Sequence, residues 1–166
     1  MHLIIREARP EDAEAVTAIF NPIIEDGRYT VFDTPFSVEA QRAYLEAFPQ
    51  RGIFLLAVDA ASDRVVGFQS MEPFAGYTGA FDHVGVLGTY VSLEQRGRGI
   101  ARALFPRTFE QARGKGYEKI FTFIRADNAA ALAAYTAHGF SVIGTASKQA
   151  KIRGAYVDEI LVEKFL

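Results

Sequence analysis

Two short stretches of the 166-residue chain hold residue types whose spacing permits chemistry. The first is QRGRGIA, Gln95 to Ala101. It follows one apolar run and opens another, so it lies between a strand end and a helix start. A helix N-terminus offers unpaired backbone N–H groups and a partial positive charge. Gly97 and Gly99 have no Cβ, so an anion can come close to those groups. Arg96 and Arg98 add full charges. Together these features describe a cradle for a pyrophosphate. A plain strand-to-helix turn and a basic patch for nucleic acid are the competing readings. The second stretch is NAAALAAYTAHGF, Asn128 to Phe140. Asn128 and Tyr135 are seven residues apart, close to two helical turns, so they share a face. Ala131 between them is small. A slender ligand can lie along this face, bonded by the Asn128 amide and reaching the Tyr135 hydroxyl. Each residue also has a structural reading, Asn128 as a helix N-cap and Tyr135 as a core aromatic with a satisfied hydroxyl.

Several other chemistries are disfavoured. A dinucleotide loop reads G-x-G-x-x-G, and the chain has Arg102 where the third glycine would stand. No G-x-x-x-x-G-K-[ST] string occurs. The absence of cysteine removes disulfides, thiolate metal sites and a cysteine nucleophile together. The three histidines, His2, His83 and His138, lack a paired ligand spacing such as H-E-x-x-H. No metal is expected. Lys plus Arg is 18 and Asp plus Glu is 20, a formal charge of −2. A nucleic-acid binder usually carries a basic excess, so nucleic acid is not expected as a partner. The longest clear apolar run is IFLLAV, Ile53 to Val58, far short of the ~20 residues of a membrane helix. MHLIIREARPEDAE brings charge too early for a signal peptide. We expect a cytoplasmic protein that does not engage a membrane.

The length suits one domain, residues 1–166, with one core. LIIREA alternates as a short strand does. Pro10 starts a helix with acids in its first turns, where the dipole favours them, and with Ala13, Val16, Ile19 and Phe20 on its apolar face. Residues 26–36 read as a loop. Ser37 caps a second helix that stops before Pro49. GIFLLAVD and RVVGFQSMEPF form a hairpin turning near Ser62 and Asp63. Residues 83–92 form the next strand, and the helix after QRGRGIA runs to Gly114 or Gly116 with a kink at Pro106. YEKIFTFIRA is a strand, and NAAALAAYTAHG is a short helix closed by Gly139. FSVIGTASK and AYVDEILVEKFL are the last strands. The order β-α-α-β-β-β-α-β-α-β-β is mixed α/β, with antiparallel hairpins and a β-α-β crossover.

R-G-x-G-I-A after a strand, then N-x-x-A-x-x-x-Y-x-x-x-G-F some thirty residues on, resembles the GNAT superfamily of N-acetyltransferases. The match is strongest over roughly residues 89–140. IREARPEDAEAVTAIFNPIIED and TVFDTPFSVE look like the phosphinothricin acetyltransferase branch. The resemblance implies a partly antiparallel sheet with a V-shaped splay between the fourth and fifth strands. Acetyl-CoA, the acetyl donor, would lie in that splay. Val91 and Leu93 would offer backbone bonds to pantetheine. Arg96, Gly97, Arg98, Gly99, Ile100 and Ala101 would hold the pyrophosphate. Asn128 would bond the pantetheine arm, with Ala131 leaving room. Tyr135 would face the sulfur and protonate the leaving thiolate. A neutral amine would attack the acetyl carbonyl directly, with a backbone N–H at a bulged strand end near Tyr90 and Val91 stabilising the oxyanion. Phe20, Asn21, Tyr29 and Phe32 come from the segment that covers the acceptor in relatives.

One role stays open at the level of sequence. An alkylamine has a pKa near that of lysine, about 10, so a base must take its proton. The phosphinothricin branch has a glutamate in the strand before the loop, where this chain has Val86. His83, Glu72 and Asp33 are substitutes, and a structural histidine or a solvated loop aspartate are the plainer readings of His83 and Asp33. The expected activity is acetyl transfer to the primary amine of a small or amino acid-like molecule. A protein or peptide N-acetyltransferase and a non-catalytic acyl-CoA-binding module are the alternatives. The apolar end of the last strand, at Phe165 and Leu166, is a pairing liability unless covered, which points to a homodimer through this region.

Overall fold

The computed structural model describes residues 2–166. Its regular elements are β1 (Leu3–Glu7), α1 (Ala13–Asp26), α2 (Val38–Glu46), β2 (Ile53–Asp59), β3 (Arg64–Pro73), β4 (Val84–Val91), α3 (Ile100–Gly114), β5 (Lys119–Arg125), α4 (Ala129–Ala137), β6 (Ser141–Ile152) and β7 (Ala155–Phe165). The order is the one expected. The strands make one seven-stranded sheet, β1-β2-β3-β4-β5-β7-β6. Every adjacent pair is antiparallel except β4 and β5, which are joined by α3 as a crossover.

Alternation along the strands divides the interior into two cores, one on each face. Phe54, Leu56 and Phe68 meet Val16, Phe20 and Ile24 of α1. Leu55, Leu87 and Ile120 meet Leu104 and Phe105 of α3, with Tyr135 from α4. β2 is buried on both faces, which is why IFLLAV reads as an unbroken apolar run. α2 starts where Ser37 predicts, with the Ala40 N–H donating to its hydroxyl at 3.1 Å.

Two local expectations are corrected. The turn after Pro10 is a 3-10 turn over Pro10–Asp12, and the α-helix begins at Ala13. Asp12 tightens it by accepting from the Arg9 N–H at 2.8 Å and from both Arg6 terminal nitrogens at 2.8 and 2.7 Å. α3 ends at Gly114 with Pro106 inside it, as expected. β6 does not stop near Lys148 but runs to Ile152, because its register slips between Ala146 and Ala150 and pairing then resumes. Lys148 absorbs the slip with φ +54°. The true turn is Arg153-Gly154, both at positive φ (49° and 83°), as a two-residue hairpin requires.

Candidate active site

The splay is visible in the pairing. β4 and β5 stay in register only from Val84 opposite Lys119 to Val86 opposite Phe121. Just beyond, the Thr122 hydroxyl caps the Leu87 carbonyl at 2.7 Å, and the strands part. The bulge expected at Tyr90–Val91 is not there. β3 and β4 pair without a shift from Gly67 opposite Val91 to Pro73 opposite Gly85. β4 is open on its other side instead. The Ser92 N–H donates to the Val66 carbonyl at 3.0 Å, so strand alternation turns the Val91 N–H away from β3, into the splay.

Tyr135 closes the floor of this gap. Its ring is core, 5.1 Å from the Phe105 centroid and 4.9 Å from that of Phe140. Its hydroxyl lies 2.8 Å from the Thr89 hydroxyl and 3.4 Å from the Leu87 carbonyl. Burial holds the phenol pKa well above its ordinary value, against a smaller downward pull from the Thr89 bond. Two fully buried residues stand behind Thr89. Gln69 Nε2 donates to the Thr89 oxygen at 2.9 Å, and the Thr108 hydroxyl donates to Gln69 Oε1 at 2.6 Å. Because Thr89 already accepts from Gln69, its own proton can point at Tyr135. The Tyr135 proton is then directed to Leu87 or into the gap. The one sign of this relay in the sequence is a glutamine at position 69 inside a buried strand.

The cradle has the geometry its glycines imply. Gly97 and Gly99 sit at φ +74° and +79°, and a Cβ at either would meet nothing within 4 Å. Conformation, not crowding, calls for glycine there. The Ala103 N–H makes the α-helical bond back to Gly99 at 3.0 Å, which leaves the N–H groups before it for an anion. Arg96 through Gly99 are exposed. The donor set suits a pyrophosphate. The Arg96 guanidinium lies 3.7 Å from the Tyr29 ring centroid. Asn128 is the α4 N-cap, accepting from the Ala131 N–H at 3.1 Å, while its amide nitrogen reaches the Tyr29 carbonyl at 3.4 Å. Both cradle and cap thus touch the loop that follows α1.

That loop walls a cavity of about 670 Å³ on the α1–α2 face. Phe20, Tyr29 and Phe32 line it, as does Ala131. Phe20 is the hub of an aromatic cluster, 4.5 Å from Tyr90 and 5.1 Å from Phe32. Asn21 does not line it; it exchanges two bonds with the Phe36 backbone, at 2.9 and 3.0 Å, and clamps the loop. Among the suggested bases, Glu72 lines the cavity. It pairs directly with Val86 across β3 and β4, so the two side chains share a face. The Tyr44 hydroxyl donates to it. His83 is exposed just before β4 and Asp33 is exposed beside the Thr34 hydroxyl, and neither lines the cavity.

Two charged lining residues escaped the sequence reading. Arg125 is 7% exposed and Glu159 4%, and they pair across β5 and β7. Arg125 forks onto Asp127 at 2.9 and 2.7 Å and donates to the Gly27 and Thr30 carbonyls at 2.6 and 3.1 Å. It fixes the start of the wall loop. Burial pushes the Glu159 carboxyl up, partly offset by Arg125. The available signal was a full charge among apolar residues in FTFIR and DEILV.

The sequence pattern of the Acetyltransferase (GNAT) family matches residues 17–140. The chain belongs to this family. It is an N-acetyltransferase. An L-methionine sulfoximine/L-methionine sulfone acetyltransferase of Pseudomonas paraeruginosa is 27% identical over 95% of the chain and 91% of its own length. A ribosomal-protein-alanine N-acetyltransferase of Brucella melitensis has a crystal structure that superposes with a TM-score of 0.91 at 30% identity, covering 98% of this chain and 99% of that one. A phosphinothricin acetyltransferase of Sinorhizobium meliloti, solved with acetyl-CoA, superposes with a TM-score of 0.91 at 22% identity, over 100% of this chain and 89% of that one, and shares the GNAT fold.

Proposed function

We propose that this acetyltransferase acts on the primary amine of a small molecule, with Tyr135 as proton donor and Glu72 as proton acceptor. The observation that carries the reading is the meeting of two sites at one gap. A cradle and an open strand edge lead in from the α3–α4 side, and an aromatic cavity leads in from the α1–α2 side. Acetyl-CoA supplies the acetyl group as a thioester, whose C–S bond is exchanged for a C–N bond to the amine. Arg96 to Ala101 hold the pyrophosphate, and the Val91 and Leu93 backbone with Asn128 hold the arm. Tyr135, kept protonated by burial, holds a proton at its hydroxyl for the sulfur. Glu72 takes the proton of the amine, directly or through water. The carboxylate that the phosphinothricin branch carries at the position of Val86 is thereby moved one strand across.

The aromatic lining suits a small amine with an apolar body. Residues 1–166 act as one domain, supported by a sheet that takes strands from both ends of the chain. The chain works as a homodimer through the apolar end of β7, supported by the exposure of Phe165 there. A light-scattering mass equal to one chain at micromolar concentration would rule this out. Neither nucleic acid nor a membrane is a partner, and the formal charge of −2 supports the first of these. The cytoplasm is the compartment that an acetyl-CoA requirement suits.

The test is thiol release from acetyl-CoA with a panel of small amines, beside a thermal titration with acetyl-CoA, ATP and NADH. Saturation at 100 times Kd adds about 2.7 kcal/mol, a midpoint rise of roughly 5–10 °C at this size. A rise with acetyl-CoA alone, and thiol release with an amine, are expected. A folded, cofactor-free protein that shows neither would overturn the reading.

A further inference from the structure

The charges around the cavity say more about the acceptor, granted the acetyltransferase reading above. An α-amino acid presents a carboxylate one carbon from its amine. A site that takes one must offset that charge, most effectively with an arginine fork or a lysine. Three charged residues line this cavity, Glu72, Arg125 and Glu159. The one cation is committed. Nε and Nη2 of Arg125 bind Asp127, and Nη1 binds two backbone carbonyls. Among the described residues, no other cation pairs with Glu72 or Glu159. Glu159 is 4% exposed, lines the cavity, and receives no hydrogen bond at its carboxylate among the described residues. A carboxylate that is largely buried, open to the cavity and without a donor is stabilised by a cation that meets it there. β3 and β7 flank the β4–β5 pair: Glu72 faces Val86 at its paired end and Glu159 faces Arg125 at its open end, so the two carboxylates bracket the cavity along and across the sheet. Between them lies an aromatic lining suited to an apolar body and to the face of a cation.

We propose that the acceptor is a cationic primary amine with an aromatic or apolar body and no carboxylate beside its amine, the arylalkylamine and alkylamine class, and that Glu159 is a specificity-determining residue for it. A carboxylate on the acceptor would face Glu72 and Glu159 without a free cation. The amine of the same skeleton would meet only attraction.

Matched pairs test this directly. 2-Phenylethylamine against phenylalanine, and pentylamine against norleucine, differ only by the carboxylate. Thiol release at saturating acetyl-CoA should give each amine at least a tenfold higher kcat/KM than its amino acid, or about 1.4 kcal/mol. Glu159→Gln should narrow that ratio severalfold, chiefly through KM of the amine, with the acetyl-CoA midpoint rise unchanged. Equal or better turnover of the amino acids would overturn the acceptor class, as would turnover of neither member by protein that still responds to acetyl-CoA. Loss of the acetyl-CoA response itself would instead overturn the acetyltransferase reading on which the inference stands.

Discussion

Tyr135 has two duties that a single substitution separates. Its ring fills the α3–α4 core and its hydroxyl meets Thr89 at the gap. Tyr135→Phe keeps the ring. General-acid catalysis contributes typically 10²–10⁴-fold, so kcat should fall by about that factor while the acetyl-CoA midpoint rise persists. Loss of the rise together with turnover would show that the hydroxyl binds rather than protonates. Thr89 acts through Tyr135. Thr89→Val leaves Gln69 Nε2 and the phenol without their partner, at a cost of ~1–3 kcal/mol for a buried unsatisfied group. Its kcat should drop, and Thr89→Ser, which restores the hydroxyl, should recover it. If the two variants turn over alike, the relay from Thr108 through Gln69 has no bearing on the proton. Sequence reading found Tyr135 because its spacing from Asn128 is periodic. It missed Thr89 and Gln69 because they come from neighbouring strands, and their meeting depends on register.

At the scale of elements, the wall loop is held from outside itself. Gly27 ends α1 at φ +77°. A Cβ there would come within 2.8 Å of Arg153 Nη1, and Arg153 donates to the Glu25 carbonyl at 2.8 Å from the β6–β7 turn. Gly27→Ala therefore combines left-handed strain of ~1–2 kcal/mol with the loss of that tether. A midpoint drop of roughly 2–8 °C follows, with a raised KM for the amine. Gly99→Ala meets no neighbour and suffers the same conformational strain. Its binding effect falls on acetyl-CoA instead. Titrating each variant with each substrate checks the division. Helices and most strands were legible because periodicity and caps are local: Ser37 and Gly139 mark real ends. The extension of β6 to Ile152 was not, because the slip at Lys148 looks like a strand end until β7 is placed beside it. The tether is long-range for the same reason, joining positions more than a hundred residues apart.

In the proposed reading, donor and acceptor approach from opposite faces of one sheet and meet where β4 and β5 part. The cradle was legible because its chemistry lies in consecutive residues, Gln95 to Ala101. The acceptor cavity was not, because its charges come from β3, β5 and β7 and only the strand order brings them together. That arrangement also shapes stability against pH. Glu159 is buried against one already shared cation, and its carboxyl is raised above 4.5. Ionising it costs the free fold stability above that raised value. The cost is relieved as pH falls toward 4.5, where the unfolded chain protonates as well. Asp12 and Asp127 have the opposite sign. Hydrogen bonds from Arg6 and from Arg125 hold them below 3.8. Their contribution is complete above the unfolded value and disappears as pH falls through the folded one. Thermal midpoints of the free protein should therefore carry a Glu159 contribution that climbs only as pH falls from its raised value toward 4.5, and should lose the Asp12 and Asp127 contributions below 3.8. Glu159→Gln should raise the midpoint at neutral pH and flatten the climb, while Asp12→Asn should lower the midpoint at neutral pH and soften only the acid fall. Saturating arylalkylamine should also flatten the climb in the parent protein, by giving Glu159 the positive charge it lacks. A climb that persists unchanged in Glu159→Gln would place its cause elsewhere and remove the energetic reason for a cation in the cavity.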